Sequence, residues 1–134
     1  MIVGLTGGLA SGKDLVASYL KELGAEIIDA DTIAREIVEP GEEACNEIVK
    51  TFGHKVVRSD GGIDRAALGE RVFSDRASLE KLNDIMLPRI VAEERRRIEA
   101  LQRENREALI VINAPLLMES GHYREMESVR VVDL

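Results

Sequence analysis

The chain of 134 residues contains no tryptophan, two tyrosines, two phenylalanines, one cysteine, two histidines and three prolines. With so few aromatics and a net charge of −7, it lacks both the stacking platform and the basic face of a nucleic-acid surface. Cys45, being alone, excludes an intramolecular disulfide. It reads as a small buried hydrophobe on a helix, and a reducing cytoplasm is the expected compartment. Cys45 with His54 and His122 cannot make a conventional zinc site. No apolar run approaches the roughly 18 residues of a membrane span, and no basic-then-apolar leader stands before the first strand, so neither membrane insertion nor secretion is expected. Apolar residues at 45% and charged residues at 32% suit one soluble domain with a moderate core.

What is present is concentrated at the start. Ile2 to Thr6 is a strand rich in β-branched residues, and it runs into Gly7-x-x-x-x-Gly12-Lys13 and then an apolar-periodic helix to Leu23. Gly7, Gly8 and Gly12 allow the backbone to approach an anion closely. Successive N–H groups can then form a nest at the positive end of the helix, and Lys13 adds a full charge for the β- and γ-phosphates. Gly8, Leu9, Ala10, Ser11, Gly12 and Lys13 are therefore the expected nucleotide-phosphate site. Asp14 stands where a Ser or Thr normally holds magnesium; a carboxylate can do the same, at the cost of negative charge beside the triphosphate.

Farther along, Gly24 caps the first helix, and residues 25–29 read as a second strand parallel to the first. Asp31 or Thr32 is expected to cap a short helix ended by Pro40-Gly41, and Glu42 to Phe52 reads as another. Ser59 to Gly62 is a turn. Asp64 caps a helix to Phe73, Asp75 or Ser78 starts the next, and Pro88 is expected to open a long helix to about Arg106. Residues 109–113 are a near-continuous apolar strand of the kind buried on both faces. Pro115 and Gly121 bracket a short turn or helix, and Val129 to Val132 is a last strand with an exposed edge. The alternation predicts an α/β fold with a three-layer parallel sheet: a nucleotide-binding core from residues 1–40 and 108–134, and a helical insert over 41–107.

Asp31 lies just past the second strand, at the sheet edge where open α/β folds bind ligands, and it can serve as a base or only cap a helix. Arg35, one helical turn on, can bind a phosphate or face solvent. Arg89 follows Pro88 at the expected helix start, within reach of a ligand, and Glu119 follows the apolar strand. Arg95-Arg96-Arg97 is interleaved with glutamates at spacings of three and four, which reads as a salt-bridged solvent face.

Several segments together resemble the dephospho-coenzyme A kinases. They are Gly4-Leu5-Thr6-Gly7-Gly8-Leu9-Ala10-Ser11-Gly12-Lys13, Ile28-Asp29-Ala30-Asp31 with Ala34-Arg35-Glu36, Pro88-Arg89-Ile90, and Pro115-Leu116-Leu117-Met118-Glu119. The resemblance implies a P-loop kinase fold with a helical substrate-binding insert, and ATP and Mg2+ as cofactors. It further implies transfer of the γ-phosphoryl to the 3′-hydroxyl of dephospho-coenzyme A, with a non-catalytic nucleotide-binding module or another small-metabolite kinase as alternatives. By the same resemblance Asp31 is the catalytic base, Lys13 assists at the phosphates, Asp14 takes the metal position, and Arg35, Arg89 and Glu119 lie on the acceptor side. Leu87 replaces a usual His, and Asn113 stands where the family has Asp or an apolar residue. On this resemblance, the family's C-terminal strand and arginine-bearing lid are expected to be missing from these residues.

Overall fold

The computed structural model describes residues 1–6, 12–113 and 129–133. Its four strands are β1 (Ile2–Thr6), β2 (Glu26–Asp29), β3 (Ile110–Asn113) and β4 (Val129–Asp133). Its helices are α1 (Lys13–Glu22), α2 (Ala30–Glu36), α3 (Glu43–Phe52), α4 (Arg65–Phe73) and α5 (Arg76–Glu104), with a 3₁₀ turn at His54–Val56. All pairings in the sheet are parallel, in the order β2-β3-β1-β4. The apolar run at the centre takes the interior place: Ile110, Val111 and Ile112 of β3 are fully buried between β2 and β1.

The chain divides into two compact units, residues 1–32 with 91–134, and residues 33–90. In the first, Leu5, Ala17, Ala25 and Val111 form the core, with Val3, Leu20, Ile27 and Leu109 packed around them. Helix α1 buries only Ala17, while Leu15, Tyr19 and Leu23 of the expected apolar stripe stay exposed. In the second unit, Ala44, Cys45, Ile48 and Phe52 of α3 pack with Val56, Ile63, Leu68 and Ile85. Cys45 is the buried helical thiol its isolation suggests. Gly53 ends α3 at φ 83°, ψ −172°, a conformation essentially restricted to glycine.

The turn at 59–62 closes an antiparallel bridge between Val57 and Ile63, and the Asp60 side chain accepts from the Gly62 N–H at 2.8 Å. Asp64 caps α4 by accepting from the Ala67 N–H at 3.1 Å, and Asp75 caps α5 through the Ala77 N–H and the buried Ser78 hydroxyl.

Pro88 does not open a helix. It lies inside α5, which runs unbroken from Arg76 to Glu104. The proline removes one ladder hydrogen bond and crowds the carbonyl four residues back, a cost of about 3 kcal/mol in an ordinary helix interior. Here both Pro88 and Asp84 face solvent, and the Arg89 guanidinium donates to the Ile85 carbonyl at 2.8 Å. Buried Ile85 and Ile90 hold the segment on either side. Farther down α5, Glu93 accepts from Arg96 Nε at 2.9 Å and from Arg97 Nε at 3.0 Å, as expected of a salt-bridged face. Hydrogen bonds from Arg96, reinforced by Arg97, lower the Glu93 pKa to about 2.

Candidate nucleotide site at the strand ends

The parallel register gathers the carboxyl ends of the strands. Asn113 of β3 lies opposite Leu5 of β1 on one side and Asp29 of β2 on the other. Each of these strands stops where its apolar pattern stops, so polar side chains collect at this end. Helix α1 begins immediately beside them. Gly12 stands at its N-cap with φ 82° and ψ 11°, the left-handed region that only glycine enters cheaply. Gly12 has no side chain to cap α1, and the first N–H groups of a helix together with the positive end of its dipole favour an anion.

Lys13 and Asp14 occupy the first turn. The Lys13 side chain is 11% exposed and its Nζ lies 3.9 Å from Asp14 Oδ1, whereas the Asp14 side chain is 82% exposed. Across the gap from β3, Asn113 Nδ2 donates to Asp14 Oδ1 at 3.1 Å. Asn113 itself is only 7% exposed, and its Oδ1 is buried without a hydrogen-bond partner among the described residues. Asp14, Ala17, Ser18, Lys21, Ile27, Asp29 and Asn113 line a cavity of about 370 Å³. A larger cavity, about 690 Å³, lies along the last turns of α5 between Glu99, Gln102, Arg103 and Arg106, none of them a strand-end residue.

Asp31 falls in the first turn of α2 with its side chain exposed. Its carboxylate is not the cap. Asp29 Oδ1 accepts from the Asp31 N–H at 3.0 Å, so the last residue of β2 starts the helix and leaves the Asp31 carboxylate uncommitted to that turn. The capping aspartate comes one position before α2 because β2 passes into it with no loop between. Arg35 is exposed near the end of α2 and belongs to the second unit. Arg89, also in that unit, reaches Glu43 of α3 at 2.8 Å in addition to its bond to Ile85. Gly8, Leu9, Ala10, Ser11 and Glu119, together with the short element expected between Pro115 and Gly121, lie outside the described residues.

Two strand-end residues carry more of this geometry than their sequence positions suggest. Asn113 interrupts an otherwise apolar strand at its last position, and Asp29 precedes a more conspicuous aspartate. A polar residue ending an apolar strand is the signal that points to the first; only the parallel register exposes the second.

A magnesium site fits these residues. An exposed carboxylate at Asp14 and a buried oxygen at Asn113 that has no partner among the described residues are both hard oxygen donors. Among the described residues no group of three His, Cys, Asp or Glu side chains could hold a metal by itself. Mg2+ is usually bound by one or two protein oxygens plus substrate phosphates.

Residues 1–134 match the CoaE family, dephospho-CoA kinase, from end to end. The dephospho-CoA kinase of Moorella thermoacetica is 51% identical over 98% of this chain and 62% of its own length. That of Leifsonia xyli is 49% identical over 90% of this chain and 61% of its own. The chain thus spans somewhat under two thirds of the length of these relatives. Among solved structures, the dephospho-CoA kinase from Campylobacter jejuni superposes with a TM-score of 0.76 at 28% identity, covering 98% of this chain and 64% of that one. By the family match over its whole length, this chain belongs to the dephospho-CoA kinase family.

Proposed function

We propose that the protein transfers the γ-phosphoryl group of ATP to the 3′-hydroxyl of dephospho-coenzyme A. The reading is carried by the strand-end cluster of Lys13, Asp14, Asp29 and Asn113 beside the open N-terminus of α1, in a chain of this family. In the transfer, the 3′-oxygen bonds to the γ-phosphorus as the bond to the β-bridging oxygen breaks. The proton of the hydroxyl passes to Asp31, and ADP departs. Lys13 and the α1 N–H groups neutralise charge on the β- and γ-phosphates, which is where positioning and electrostatics govern the rate. Mg2+, held from the protein side by Asp14, would supply further neutralisation of the triphosphate. Residues 41–107 are taken as the acceptor-side insert, with Arg35, Arg89 and Glu119 binding the acceptor and 1–40 with 108–134 as the nucleotide core. The buried thiol of Cys45 accords with a cytoplasmic setting.

The test is magnesium-dependent transfer of labelled γ-phosphate to dephospho-coenzyme A, abolished in Asp31→Asn. Absence of transfer by both the parent chain and Asp14→Ser refutes the assignment. The Lys13–Asp14 proximity favours one second reading, a nucleotide-binding module without turnover, because the carboxylate partly neutralises the charge meant for phosphate. Calorimetry that finds ATP binding in a chain with no product would select it.

A further inference from the structure

We propose that Asp14 and Asn113 are a transposed metal-holding pair, in which the helix supplies the carboxylate and the strand supplies the neutral oxygen. In P-loop enzymes at large the arrangement is the reverse: a hydroxyl follows the loop lysine, and an aspartate at a strand end completes the magnesium site. Here the residue after Lys13 is the aspartate and the strand-end residue is the amide. Either way the site holds one carboxylate and one neutral group, so the charge facing the triphosphate is conserved while its position changes.

The geometry ties the two exchanges together. Asp14 and Asn113 are ninety-nine positions apart in sequence, yet Asn113 Nδ2 reaches Asp14 Oδ1 at 3.1 Å. A carboxylate only accepts, so the amide must turn its nitrogen toward Asp14, and its oxygen is left over. That oxygen is buried without a partner among the described residues, in a residue more than nine-tenths buried, and a buried acceptor left so is destabilising. Both side chains line the same cavity at the strand ends, into which Asp29 also opens. A hydrated divalent cation beside Asp14 gives the Asn113 oxygen what it lacks, either as a direct ligand or as an acceptor for a metal-bound water. Asn113 is then a positioning residue: its N–H holds the exposed Asp14 carboxylate, and its oxygen faces the ion. An aspartate at 113 would put two like charges about 3 Å apart, which the present pairing avoids.

The inference rests on the nucleotide site described above but not on turnover, and it is tested without turnover. Mn2+ binding to the full chain is followed by electron paramagnetic resonance in the presence of saturating ADP, and ADP binding is measured separately in EDTA. Asp14→Asn, which keeps side-chain size at an exposed position, and Asp14→Ser are expected to weaken Mn2+ binding tenfold or more. Asn113→Leu is expected to weaken it about threefold to tenfold. The double variant Asp14→Ser with Asn113→Asp, which installs the common arrangement, is expected to return Mn2+ affinity to within about threefold of the parent. Parent-like Mn2+ affinity in both Asp14 variants overturns the proposal, and so does a double variant no better than Asp14→Ser. A parent and an Asp14→Ser variant that both bind ADP and Mn2+ without phosphoryl transfer overturn the kinase assignment alone; a parent that binds no ADP overturns both.

Discussion

Replacing Asp29 separates two jobs that the sheet edge has been given. Asp29 ends β2, sits in register with Asn113, and its Oδ1 accepts from the Asp31 N–H at 3.0 Å. Asp29→Ala removes that acceptor. Loss of an N-cap costs about 1 kcal/mol, and for a chain of this size that lowers Tm by about 4 °C. Asp29→Asn keeps the cap, because asparagine and aspartate cap equally well, and removes only the charge. The asparagine variant is therefore expected within about 0.3 kcal/mol of the parent in urea unfolding, with the slope unchanged in both. Catalysis amplifies the same difference. On the role proposed for Asp31, its aim depends on the turn that Asp29 starts, and a misplacement of about 1 Å can cost about a hundredfold in rate. Phosphoryl transfer should fall steeply in Asp29→Ala and survive in Asp29→Asn. Equal destabilisation by the two substitutions, or full activity in Asp29→Ala, would refute the argument that Asp29 works by capping.

Three further outcomes can be measured on the same material. Ile48→Ala opens a cavity among Cys45, Phe52 and Val56 and should cost about 3 kcal/mol in urea or thermal unfolding. Gly53→Ala forces a Cβ into φ 83° and ψ −172°, and should destabilise by about 1–3 kcal/mol although nothing would touch the added methyl. Glu93 has its folded pKa lowered from 4.5 to about 2, so its pairing with Arg96 and Arg97 stabilises fully above pH 4.5 and fades as pH falls toward 2. The stability gap between the parent and Glu93→Gln, read from urea midpoints, should accordingly be constant from pH 7 to 5 and shrink below that; a gap unchanged at pH 3 would contradict the pairing.

Much of this architecture could be read from local chemistry. The first strand and the buried strand at 110–112 announce themselves because continuous apolar runs have few other uses. Asp64 and the 59–62 turn are equally local, since cap and turn involve residues within a few positions of each other. Pro88 was less transparent. A proline is an ordinary helix start, and what lets it sit mid-helix is the solvent beside Asp84 and the burial of Ile85 and Ile90, which are tertiary facts. The stripe at Leu15, Tyr19 and Leu23 likewise has helical spacing, but α1 buries its Ala17 face against the sheet. At the site, Lys13 and Asp14 were visible from the loop pattern. The role of Asn113 was not, because its partner lies ninety-nine positions away and only the parallel register brings them together.

The interior proline has a consequence for how the molecule opens. Pro88 has no amide proton to exchange, and it breaks the hydrogen-bond ladder three residues before position 91, where the second compact unit gives way to the first. A helix interrupted there need not melt as one element. Its amides before the proline can share the protection of residues 33–90, and those after it the protection of the other unit, so that α5 reports two opening free energies along its length. Hydrogen exchange would read this as a step in protection along α5, with the turn around Pro88 exchanging first.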